Sequence, residues 1–183
     1  HDLKNPLSII SMSAELIALQ PAKVETRELA QHRIRKQVER IGDLIGDILD
    51  FTNGSRSRTL VGDTNYAAFV KSILDEIRPD AELRHVIIES QPPPSIGLPI
   101  DPKRVRRVFC NLIQNATEAM PGGGKIFVRF INEKNELITE IKDTGPGIAP
   151  EIADTLFEAF ATFGKEHGTG LGLSICKKII EDH

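Results

Sequence analysis

His1 and Asp2 stand side by side at the head of HDLKNPL, with Asn5 and Pro6 following at short spacing. A neutral imidazole is a nucleophile near pH 7, and a carboxylate bonded to one ring nitrogen fixes the tautomer and raises the electron density at the other. On a helix, Asn5 shares a face with His1 and is placed to hold a water or a substrate oxygen near the ring. Pro6 removes a backbone donor and is expected to bend the helix just past this point. An ordinary surface histidine explains the heptapeptide equally well when it is read alone.

Three later stretches carry residue types suited to binding. In NLIQNATEAM, Asn111 and Asn115 lie four apart and stack on one helical face, although asparagine is a poor residue inside a helix. A neutral amide oxygen can complete the octahedral shell of a Mg²⁺ whose other ligands are phosphates and waters, and a pair of hydrogen-bonding amides is an alternative of equal weight. In DTGPGI, residues 143–148, Gly145 and Gly147 flank a proline in a tight turn that lets a flat ligand approach the backbone. Asp143 there offers a carboxylate acceptor suited to the exocyclic amine of adenine, while a plain Asx-bonded turn is the simpler account of these six residues alone. In HGTGLGL, residues 167–173, Gly168, Gly170 and Gly172 leave backbone N–H groups free at a helix start, an arrangement that favours anions. Lys165 just ahead adds a point charge for a terminal phosphate. This is not a P-loop, because no Lys-Ser/Thr follows the last glycine, and it lacks the preceding strand and nearby acidic residue of a dinucleotide fingerprint.

The elements that must hold these residues are legible from periodicity. The 183 residues carry a formal charge of −3, with 40% hydrophobic and 27% charged side chains, which suits one large or two small soluble domains. No run approaches ~18 apolar residues and no signal peptide is visible, so neither a span nor membrane contact is expected of this segment. The mild acidity argues against a nucleic-acid partner, and the basic run Lys103, Arg104, Arg106 and Arg107 reads as a solvated helix face. Cys110 and Cys176 sit in apolar helical patterns without the close pairing of zinc or redox motifs, and read as buried thiols in a reducing compartment.

Leu3, Leu7, Ile10, Ala14 and Ile17 form a four-three-four-three seam that should stop near Gln20 and Pro21. A second seam follows at Ile34, Val38, Ile41, Ile45 and Ile48, widened by Leu44 and Leu49. The two helices predict an antiparallel hairpin, and because a lone hairpin leaves one side of each seam wet, a second copy is expected to complete a dimeric four-helix bundle. NGSRSR, residues 53–58, ends the periodicity and sets the expected boundary between a domain at 1–54 and another at 59–183. The second domain reads as α/β. It has a helix from Tyr66 to Ile77 ended by Pro79, a strand VIIES at 86–90, and a loop QPPPSIGLP. A helix then starts at Asp101-Pro102 and runs to about Met120. KIFVRFI and ELITEIKD form an expected hairpin across NEKN, and a last helix is expected from about Gly170.

The order Asn-xxx-Asn, DTGPGI, a phenylalanine-bearing segment with Phe157 and Phe160, then GTGLGL resembles the ATP-binding domain shared by sensor histidine kinases and the gyrase, Hsp90 and MutL ATPases. With HDLKNPL on a dimerising hairpin upstream, nearly the whole chain resembles the transmitter region of a two-component sensor histidine kinase. That resemblance implies an all-α hairpin followed by an α/β sandwich of the GHKL (Bergerat) type, a homodimer, ATP and Mg²⁺ as cofactors, a response-regulator receiver domain as partner and a cytoplasmic setting. It makes His1 the phosphoacceptor and Asp2 its activating acid. Asn5 becomes the residue that helps position water for removing phosphate from the response regulator. Asn115 corresponds to the Mg²⁺ ligand and Asn111 to its phosphate-side neighbour. Asp143 corresponds to the adenine carboxylate, with Gly145, Gly147 and Ile148 around it, and Lys165, Gly168, Thr169, Gly170, Leu171 and Gly172 to the phosphate end of the lid.

One position discriminates within the superfamily. The related ATPases have a water-activating glutamate four residues before the metal-binding asparagine, and this chain has Asn111, so attack by a better-placed nucleophile is expected over attack by water. The family pattern usually continues past IIEDH with a glycine turn and strands that complete the sheet, so either this is an excerpt or the fold is abbreviated here. Glu118 stands where some relatives carry a basic residue.

Overall fold

A computed structural model of the chain describes residues 4–19, 24–53, 62–134, 136–159 and 170–183. They divide into two compact units, one built on a helical hairpin and one of α/β type.

The hairpin consists of α1 (Lys4–Leu19) and α2 (Val24–Asn53). Each apolar seam divides within it. Ile10 and Ile17 on α1 and Ile34 and Ile41 on α2 are half-buried, together with the fully buried Pro6, Ser13 and Ala30. The alternate heptad positions face water, with Leu7 56%, Val38 55% and Ile45 48% exposed. Small residues at 13 and 30 suit close approach of helix axes, since the axial separation follows the side chains at the contact.

The second unit starts with β1 (Gly62–Asn65), α3 (Tyr66–Glu82), β2 (Val86–Ser90) and β3 (Gly97–Ile100). It continues with α4 (Pro102–Glu118), β4 (Gly124–Glu133), β5 (Glu136–Asp143), the single turn α5 (Pro150–Ala153) and α6 (Gly172–Glu181). The main sheet has the order β2-β4-β5, parallel between β2 and β4 and antiparallel between β4 and β5, and β1 pairs antiparallel with β3 in a separate ribbon. A parallel pair needs a long crossover, and α4 supplies it. The core lies where α3 and α4 cover one face of the sheet: Val70, Ile73 and Leu74 meet Val105, Phe109 and Ile113 over Val86, Ile88, Ile126 and Val128.

Two expectations are corrected here. The segment read as the loop QPPPSIGLP contains β3; Pro99, which cannot donate to a ladder, is tolerated because among the described residues β3 pairs with β1 alone. Pro79 does not end α3. It is exposed and removes only its own N–H, and the next turn closes with Leu83 N–H donating to the Pro79 carbonyl at 3.1 Å.

Asp101 caps α4 by accepting from the N–H groups of Lys103 and Arg104 at 3.0 and 3.2 Å, with Pro102 at the first helical position. The basic run beyond it is only partly a solvated face: Lys103 is exposed, but two of its arginines are paired. Arg104 donates to Asp182 at 2.6 Å with both side chains largely covered, and Arg106 pairs with Glu76 of α3. Both partners are distant in sequence, which is why local charge counting missed them. Asp101→Ala is expected to cost about 1 kcal/mol, whereas Asp101→Asn, which keeps an oxygen cap, should cost a few tenths at most. Urea unfolding of the two variants checks this, and equal losses would refute the capping account.

Candidate functional site

The α/β unit brings the sequence-selected residues together along α4. Asn111, Asn115 and Ala119 recur every four residues, so they form one stripe about 12 Å long at a rise of about 1.5 Å per residue. At one end, Gly172, the first residue of α6, lies so close to Asn111 that a Cβ there would be 3.7 Å from the amide carbon. The Asn111 amide donates to the Sγ of Cys176, one turn into α6, at 3.8 Å. At the other end, a Cβ on Gly145 would come 3.6 Å from the Ala119 side chain and 3.3 Å from that of Met120. Asn115 is half-buried between these two ends.

Strand parity explains where Asp143 stands. On β5 the residues Leu137, Thr139, Ile141 and Asp143 alternate inward, and Asp143 is registered opposite the fully buried Ile126. A carboxylate thus occupies the last core-facing position of a strand whose other inward residues are mainly apolar. Its Oδ1 accepts from the Gly145 N–H at 2.8 Å, an Asx-type bond that holds the carboxylate across the turn. Gly147 follows with φ of 80°, a left-handed backbone that suits glycine, and Ile148 is 59% exposed.

Sequence reasoning did not single out the residues beneath this turn. Thr144 accepts from the Lys125 N–H at 3.0 Å, and its own N–H donates to the Lys125 carbonyl, also at 3.0 Å. The Thr144 hydroxyl lies 3.5 Å from the sulfur of buried Met120, whose side chain also fills the space a Cβ at Gly124 would need. The only signal in the sequence was a methionine just ahead of PGGG, where a flexible thioether fills an irregular gap. Cys176 was legible as a buried thiol but not as the partner of Asn111. Burial pushes its thiol up in pKa, and the Asn111 amide and the Arg107 charge pull it partly back.

At the lid end, α6 begins at Gly172 rather than near Gly170. Gly170 precedes it with φ of 66°, and Leu171 is buried. Asn5 is half-buried on the first described turn of α1. His1, Asp2, Lys165, Gly168, Thr169 and Phe160 lie outside the described residues.

The family described as "Histidine kinase-, DNA gyrase B-, and HSP90-like ATPase" matches residues 100–183, and the "His Kinase A (phospho-acceptor) domain" matches residues 1–56. The catalytic domain of the histidine kinase ThkA is 30% identical, with 67% of this chain covering 80% of that one at a TM-score of 0.58. The chain belongs to the two-component sensor histidine kinases. The adaptive-response sensory kinase SasA of Rippkaea orientalis is 32% identical across the whole of this chain, which spans 50% of that relative. The fold is shared with full-length ShkA in complex with AMPPNP, at 20% identity and a TM-score of 0.68 over 98% of this chain and 38% of that one. It is shared too with ThkA in complex with the response regulator TrrA, at 24% identity and 0.62 over 100% and 52%. The hairpin followed by an α/β unit is therefore the GHKL-type transmitter architecture.

Two outcomes follow for this chain. A Gly145→Ala side chain would stand 2.8 Å from Asp143 Oδ1, too close to fit without displacing the carboxylate. Loss of that hydrogen bond should lower stability by about 1 kcal/mol and speed amide exchange at residue 145, read by urea unfolding and hydrogen exchange. The raised Cys176 pKa means that the unfolded chain releases this proton first. The stability it contributes is intact below the unfolded thiol pKa of about 8.5 and lost as pH rises through the folded value. An alkaline decline in stability that Cys176→Ala removes would bear this out, and an unaltered decline would refute it.

Proposed function

We propose that this chain is the transmitter of an ATP-dependent protein-histidine autokinase, with residues 1–54 as the dimerising phosphoacceptor hairpin and 59–183 as the nucleotide-binding domain. The observation that carries the reading is the α4 stripe, which ties the Asp143 turn, Asn115 and the start of α6 to one rigid helix. The Asp143 carboxylate uses Oδ1 for the Gly145 N–H and retains acceptor capacity for an exocyclic amine such as that of adenine. Gly145, Gly147 and Ile148 are assigned to its pocket, and Lys165, Gly168, Thr169, Gly170, Leu171 and Gly172 to the phosphates.

Asn115 fits as a Mg²⁺ ligand because its half-buried amide supplies a hard oxygen donor one turn along α4 from Asn111, which meets the start of α6. The remaining ligands of such an ion would be phosphate oxygens and water. When bound, Mg²⁺ offsets charge on the phosphate oxygens.

The transfer itself needs a nucleophile in line with the γ-phosphate. The bare ring nitrogen of His1 forms a bond to phosphorus as the bond to the ADP oxygen breaks, and Asp2 holds the proton on the other nitrogen and offsets the growing positive charge. Asn111 supports transfer to protein rather than hydrolysis, since its amide, engaged with Cys176, is no base for water. The phosphoryl group then passes to an aspartate of a response regulator, and Asn5 positions water for the reverse dephosphorylation of that partner. The exposed alternate heptad positions Leu7, Val38 and Ile45 support dimerisation, because a second hairpin would cover them. A cytoplasmic setting goes with the proposed use of ATP, and no helix among the described residues is long and apolar enough to cross a membrane.

Incubating the dimer with γ-³²P-ATP tests the proposal. His1→Gln should abolish acid-labile label on the protein while nucleotide affinity is retained, whereas label that persists, or free phosphate without labelled protein in the unaltered chain, would overturn it.

A further inference from the structure

We infer that His183 is a positioning residue for the nucleotide. It pins the far end of α6 to the cap of α4 and so fixes where the glycine-bearing start of α6 stands relative to Asn111 and Asn115. The inference rests on the nucleotide-site reading above.

The clasp is specific in its chemistry. The Asp101 backbone N–H donates to Nε2 of His183 at 3.0 Å, and Nδ1 of the same ring lies 2.6 Å from the Ile179 carbonyl oxygen. A backbone N–H only donates and a carbonyl oxygen only accepts, so Nε2 must be bare and Nδ1 must carry the proton. The two contacts therefore select one neutral tautomer and leave no other ring state compatible with both. Beside the ring, the Arg104–Asp182 pair at 2.6 Å makes a second link between the same two helix ends. Asp101 also caps α4 with its carboxylate, so one residue anchors both the start of α4 and the end of α6.

Geometry turns this clasp into a register device. The helices are tied at two places, Asp101 to His183 at one end and Asn111 to Gly172 and Cys176 at the other. The rise from Asp101 to Asn111 is about 15 Å and that from Gly172 to His183 about 16 Å, so a clasp at one end leaves little axial slack at the other. Apolar burial of Ile175, Cys176 and Ile179 holds α6 down but is non-directional, and does not by itself choose a position along the axis. Directional hydrogen bonds do. Releasing His183 should let α6 slide or tilt on that apolar footing and move its first turn away from Asn111.

The test is run on the full-length dimeric protein. His183→Leu keeps bulk but removes the acceptor, and it should raise the KM for ATP in autophosphorylation about five-fold, with kcat changed less than two-fold. His183→Gln, whose amide oxygen can still accept from the Asp101 N–H, should stay within two-fold of the unaltered KM. In ¹⁵N spectra the His183 ring should show a bare Nε2 and a protonated Nδ1. If His183→Leu does not fold, Asp182→Asn, which weakens the neighbouring Arg104 pair, should raise KM two- to three-fold. An unaltered protein that binds ATP alongside a folded His183→Leu or Asp182→Asn variant with unchanged KM overturns the inference alone, as does a protonated Nε2. An unaltered protein that binds no ATP overturns the nucleotide-site reading, and the inference with it.

Discussion

The rigidity of α4 is the constraint on which the second unit depends. Its buried face, Val105, Phe109, Ile113 and Ala116, is sealed against α3 and the sheet, so the helix cannot rotate without exposing a continuous apolar stripe. The adjoining stripe of Asn111, Asn115 and Ala119 is thereby fixed in direction as well as in spacing. Everything the proposed nucleotide site requires is referred to that stripe: the start of α6 at one end, the Asp143 turn at the other.

The sheet supplies the second coordinate. Because side chains alternate along β5, Asp143 falls on the core-facing side at the last position where the strand still pairs with β4. A one-residue slip would send it to the opposite face, so the register that buries Ile126 and Val128 also aims the carboxylate. Thr144 locks that register at its end with its N–H and its hydroxyl, both bonded to the Lys125 backbone, and Met120 packs beneath. Adenine recognition, in this reading, is a by-product of strand pairing and needs no separate scaffold.

Much of the architecture was legible because its signals are local. The Asp101-Pro102 helix start, the β4–β5 hairpin and the seams of α1 and α2 each depend on residues within a few positions of one another. What escaped was non-local or permissive. Strand β3 carries a glycine and a proline, and became visible only with β1 beside it. Pro79 breaks helices on average but costs little where only an exposed carbonyl loses its partner. Arg104 and Arg106 looked solvated until Asp182 and Glu76 arrived from elsewhere in the chain. Of the candidate site, the residue types and their order could be read in advance, but not the thioether under the turn, the thiol against Asn111 or the imidazole clasp at Asp101.

By itself, then, the sequence determined the repertoire: an imidazole-carboxylate pair, two stacked amides, a carboxylate ahead of a glycine turn, and a glycine-rich helix start. It also determined that helical and strand periods would carry them, since those periods are set by backbone geometry acting over a few residues. Tertiary structure alone decided which groups meet. It split each hairpin seam into a covered half and an exposed half, set Cys176 against Asn111, and gave His183 a single tautomer between Asp101 and Ile179. Those choices follow from packing and from the pairing of buried polar groups, which act between residues that the chain brings together only when it folds.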